Sequence, residues 1–172
     1  MYGTTLYKIL FLLHLLTIIV GFGSSFVYPV LAAKTKDLDP KERFAVNHAA
    51  YSVSKYLTSY PLYAAGLFGV LLVPTSEEAW KFSQTWVSTA FLLYVLALLV
   101  AIFLHGPNLK AMDELGAKLA AGKVTPPKGE GPPKEVKEME ERASRAGMYG
   151  GMLHLFFFLL MLDMIFKPGL TS

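Results

Sequence analysis

Four long apolar stretches, at about residues 6–33, 51–73, 85–105 and 147–166, constrain this chain more than anything else in its sequence. Each is long enough to cross ~30 Å of hydrocarbon, which takes ~20 helical residues. Leu, Phe, Ile and Val fill them without the polar/apolar alternation of a barrel strand, and within lipid only helices and closed barrels satisfy the backbone. The expected fold is therefore all-α. It is a four-helix transmembrane bundle, one membrane domain over residues 1–172, with a partly helical cytoplasmic connection at 107–145 between spans three and four.

Composition agrees, with 53% hydrophobic and 17% charged residues. The chain has no Cys, which excludes disulfide frameworks, thiolate zinc sites, iron–sulfur clusters and thiol catalysis. Basic residues set the expected orientation. Twelve Lys and Arg fall in the connections 34–43 and 110–145, against Lys8, Lys81 and Lys167 on the other side. Lys and Arg gather on the cytoplasmic side of membrane proteins, so both connections are expected inside and both termini outside.

The long connection has three parts. Residues 108–122 place Leu109, Met112, Leu115 and Leu119 at helical spacing, which predicts a short helix lying on the membrane surface. Residues 125–133, TPPKGEGPP, read as a linker. Residues 134–145 carry Glu138/Arg142 and Glu141/Arg145 at i,i+4, which predicts a solvated helix running into span four.

An ionisable side chain within a span is costly unless it faces protein, water or a cofactor, so each is a candidate for function. All four histidines lie on or at the ends of the predicted spans. His14 in span one has Gly21 and Ser25 on its face, and His154 in span four has Gly147, Gly150 and Gly151 on its own. A histidine with small residues along its face suits an edge-on porphyrin, the imidazole ligating iron while glycine admits the macrocycle. The same pattern suits a small-residue helix contact with an interhelical hydrogen bond from each His. His48 and His105, at the cytoplasmic ends of spans two and three, are candidates to share a metal ion or to flank haem propionates. His48, Ser52, Lys55 and Ser59 follow at helical spacing into span two, with Lys55 placed to meet a carboxylate or phosphate and Pro61 to kink the helix above it. Asp163, four residues before Lys167 and at the level of Lys8 of span one, is expected to form a structural ion pair at the outer interface rather than a proton relay.

The stretch LYKILFLLHLLTIIVGFGSSFVYPVLAAK resembles the first helix of the bacterial membrane protoporphyrinogen oxidase family, with Tyr7, His14, Ser24 and the Tyr28-Pro29 pair near corresponding places. The overall plan, including the closing IFKPG at 165–169, resembles an uncharacterised four-helix membrane family of the copper-resistance D-type group. The oxidase resemblance implies a haem ligand at His14. Together the two imply a multi-pass protein of the bacterial plasma membrane.

Two functions from different classes are therefore expected. One is a haem-binding or redox-associated membrane protein, holding haem b with His14, His154, Lys55, Gly21 and Gly151 as cofactor-binding residues. The other is a cofactor-free accessory or assembly subunit of a larger membrane complex, its cytoplasmic helices forming the docking part. A third, lesser reading is a small transporter or metal-handling protein. No acid/base dyad, activated nucleophile or phosphate loop is legible, and Gly21 to Gly23 lie within a span, outside the strand-to-helix context of a dinucleotide site. Lipid headgroups, not nucleic acid, are the natural counterpart of the mixed basic connections.

Overall fold

The computed structural model describes residues 3–125 and 131–169, and every regular element among them is helical. They are α1 (Thr5–Ser25), α2 (Val27–Lys34), α3 (Pro40–Ser54), α4 (Tyr60–Leu72), α5 (Thr85–Leu99), α6 (Gly106–Ala120) and α7 (Lys134–Phe166), with a single 3-10 turn at Pro74–Ser76. The chain divides into two compact units. One comprises Met1–Phe26, Ser54–Leu98 and His154–Ser172; the other comprises Val27–Val53 and Leu99–Leu153.

Three helices are long and apolar enough to cross a membrane: Thr5–Lys34, Thr85–Ala120 and Lys134–Phe166. The second predicted span differs. Its regular apolar helix, α4, has 13 residues, about 20 Å of rise, and it is preceded by a widened five-residue turn at Lys55–Ser59.

Prolines explain the widened turns. At Lys55–Ser59 the Tyr60 amide reaches back five residues to the Lys55 carbonyl, and Pro61 follows at once. At Val100–His105 the Gly106 amide likewise bonds Ala101, and Pro107 follows at once. A proline ring collides with the carbonyl four residues earlier, and adding one residue to the preceding turn relieves the collision. The break at Phe26 has a related cause, since Pro29 supplies no amide to the Ser25 carbonyl.

In the first unit α1 and α4 approach most closely. A Cβ on Gly21 would lie 2.7 Å from Leu62 Cγ, so glycine is what lets the helices meet there. A Cβ on Gly66 would collide with the Tyr94 ring of α5, whose hydroxyl donates to the Leu62 carbonyl at 3.3 Å.

The second unit is more polar. Asp39 caps α3 by accepting from the amides of Lys41 (2.8 Å) and Glu42 (3.1 Å), which hold its carboxyl below the usual aspartate range. Arg43 donates to the carbonyls of Thr35, Lys36 and Leu38 and so binds the α2–α3 turn. Phe44 of α3 lies over Gly116 of α6, and Asn108 of α6 donates to the Arg142 carbonyl of α7 at 2.9 Å.

Two expectations about the long connection change. The segment at 108–122 forms α6, but the backbone stays helical from Thr85 through Ala120, so α6 continues α5 and is not a separate surface helix. The linker expected at 125–133 lies partly outside the described residues; at its ends Thr125 is non-helical and α7 begins at Lys134. The expected run from a charged helix into span four is present as the single 33-residue α7, with Glu138 and Arg142 paired at 2.8 Å.

Candidate functional site

His14 is buried on α1, and its Nδ1 lies 2.8 Å from the Ala65 carbonyl of α4. A carbonyl only accepts, so Nδ1 carries the proton and the lone pair of the neutral ring is on Nε2. The ring crosses α4 beside Gly69, where a Cβ would stand 3.2 Å from its Cε1. Nearly three turns farther along α1, the Ser24 hydroxyl reaches the Leu57 carbonyl at 2.9 Å and Thr58 Oγ1 at 2.7 Å. Leu57 is the residue whose carbonyl Pro61 leaves without an amide, so Ser24 supplies the missing donor from the neighbouring helix.

His154 sits in a different pocket of side chains. Its Nε2 is 3.0 Å from Ser25 Oγ, and its ring packs on Phe22 and Phe26 of the α1 end, with Phe157 beside Phe22. His14 and Ser25 are eleven residues apart on α1, about 16 Å of rise. The structure therefore does not bring His14 and His154 together. Two axial nitrogens on one iron must face each other across a single atom, and this pair does not fit that demand.

The glycines divide in the same way. Gly21 meets Leu62 and leaves no slot for a macrocycle, whereas Gly147, Gly150 and Gly151 have no neighbour within 4 Å of an added Cβ. Lys55 is the first residue of the widened turn and is exposed. Ser59 closes that turn, while His48 and Ser52 lie on α3 before it.

In the second unit His48 Nδ1 meets Asp113 Oδ1 at 2.8 Å, with the Phe44 ring alongside, and His105 ends the second widened turn half buried. Among the described residues no group of three or more His, Asp or Glu side chains is placed to hold a metal ion.

Sequence reasoning missed a cluster at the other end of the first unit. Trp80 Nε1 donates to Tyr7 Oη at 3.0 Å, Trp80 and Trp86 meet edge to face at 5.1 Å, and the Lys167 ammonium lies 4.0 Å from the Trp80 ring centre. Lys167 does not pair with Asp163 as expected. It follows the last residue of α7 with φ 43°, and that left-handed step carries its side chain to the indoles, while Asp163 is buried. Two tryptophans six residues apart beside a predicted span end were the available signal.

The chain matches no protein-family model, no curated protein and no solved structure.

Proposed function

We propose that this chain is an integral membrane protein that acts as a cofactor-free accessory or assembly subunit of a larger membrane complex. Its four apolar segments cross the bilayer, the second crossing being the composite helix through Lys55–Ser59 and α4. Lys and Arg crowd the connections at 34–43 and 110–145, which supports cytoplasmic connections and outer termini. The observation that carries the functional reading is how the polar groups within the apolar helices are spent. His14, Ser24 and His154 each direct a hydrogen bond to another helix of the first unit. Interhelical bonds of this kind hold membrane helices together where no hydrophobic force does. The charged α6 and the first turns of α7 offer the docking surface.

The experiment is purification from native membranes in mild detergent. Retention of the protein in the pellet after alkaline carbonate supports the membrane assignment. Migration with other polypeptides on a native gel, without a visible-range absorption band, supports the subunit reading. A protein that runs alone would sink it.

One observation favours a second reading, a haem held by His14. The Ala65 carbonyl fixes the ring with its lone pair on Nε2, the tautomer a metal ligand needs, and a carbonyl partner of this kind orients many ligating histidines. Haem would supply electron transfer, and His14 would hold its iron without His154. A Soret band lost in His14→Ala would establish this reading and displace the first.

A further inference from the structure

We infer that the outward face of α4 is the seam of a symmetric homodimer, in which Tyr60 meets Tyr60 of a second copy. The inference rests on the membrane reading above. Its starting point is a contrast between helices. Among the most exposed large side chains of the other spans are Ile19 and Val30 in the first, Leu92 and Phe103 in the third, and Ile165 and Phe166 in the fourth, all without a polar atom. Lipid covers such faces at no cost. The helix through α4 is the exception, with Tyr56, Tyr60 and Tyr63 exposed at 66%, 55% and 38%, the three exposed tyrosines among the described residues.

Depth makes these hydroxyls costly. The apolar stretch at 51–73 is centred on residue 62, so Tyr60 and Tyr63 lie within about 3 Å of mid-membrane and Tyr56 about 9 Å from it. Belt tyrosines gain their stability by placing the hydroxyl among headgroups, ~15 Å from the centre, which is farther than the Tyr60 or Tyr63 side chain extends. None of the three hydroxyls has a hydrogen-bond partner among the described residues. In hydrocarbon a lone hydroxyl costs at least ~1–3 kcal/mol. A face carrying such groups is suited to protein, not to lipid.

The occupant follows from donor and acceptor arithmetic. A tyrosine hydroxyl both donates and accepts, so a stripe of hydroxyls with no carboxylate or ammonium complements itself. Two copies in one membrane share their orientation, so the symmetry axis stands along the membrane normal and equal depths meet: 56 with 56, 60 with 60, 63 with 63. Tyr56 and Tyr60 already hold each other edge to face at 5.7 Å, so the platform is formed before a partner arrives. Leu57 and Leu67 are also exposed and would pack around the hydroxyls.

The absence of Cys makes the test clean, because any disulfide must come from an introduced residue. Tyr60→Cys, with Ile19→Cys and Leu92→Cys as controls at similar depth, is oxidised in native membranes. A disulfide-linked dimer from Tyr60→Cys alone is expected. The Tyr56→Phe/Tyr60→Phe/Tyr63→Phe variant keeps the apolar rings and the fold. It should dimerise roughly twenty- to thirty-fold more weakly in detergent, at about three-fold for each of three lost interhelical bonds. Equal cross-linking at the control positions, a monomeric mass for the unmodified protein, or a dimer indifferent to the triple Phe change would overturn the proposal, as would another polypeptide seated on this face. Release by alkaline carbonate would instead remove the membrane reading itself; retention with a monomeric mass removes only the dimer.

Discussion

A glycine's worth in this protein depends on what stands beside it. At Gly21 an added methyl meets Leu62, including its backbone nitrogen at 3.2 Å, so Gly21→Ala should cost about 1–3 kcal/mol through forced separation of α1 and α4. Gly151 faces open space, and Gly151→Ala should leave stability within about 0.5 kcal/mol. Unfolding in mixed micelles distinguishes the two, and equal costs would contradict the packing described for α1. Glu135 allows a sharper test outside the membrane segments. Thr125 donates to it twice, from Oγ1 at 2.6 Å and from its amide at 3.1 Å, and these bonds hold the carboxyl below the ordinary glutamate range. Because the folded value is depressed, this closure contributes fully above the ordinary glutamate range and is lost as pH falls through the depressed value. A carbon-13 titration of the Glu135 carboxyl should show a midpoint below that of a free glutamate, and Thr125→Val should raise it.

At the scale of elements, proline and its neighbours shape both helices that bear widened turns. If Ser24 stands in for the amide that Pro61 lacks, the two residues are coupled. Ser24→Ala should cost about 0.6–1.7 kcal/mol in the native background and clearly less beside Pro61→Ala, where the Leu57 carbonyl regains a helical partner. A double-mutant cycle that gives simple additivity would refute this account. Much of the element plan was legible. The first, third and fourth apolar runs exceed the crossing length without interruption, and α1, α5 and α7 lie where those runs do. Pro61 announced a distortion, but proline alone does not say whether a helix kinks or widens; that depends on the helix packed beside it. The fate of α6 was not legible either, because an amphipathic stretch reads the same whether it lies on a surface or extends a neighbouring helix.

For the molecule as a whole, the candidate site was legible as a list of residues but not as an arrangement. His14 and His154 stood out because ionisable groups within apolar runs are few. Their partners, the Ala65 carbonyl and the Ser25 hydroxyl, are set by how helices cross, and no spacing along one strand of sequence encodes that. The aromatic cluster was hidden for the same reason, since Tyr7, Trp80, Trp86 and Lys167 meet only in three dimensions. It also provides a convenience. The chain has two tryptophans, and both stand in this cluster. Ultraviolet emission from the protein therefore reports on one corner of it, where a cation rests on an indole. Lys167→Met should change the intensity and colour of that emission while circular dichroism stays constant, so the molecule comes with a built-in optical gauge for how firmly the end of its last helix is held.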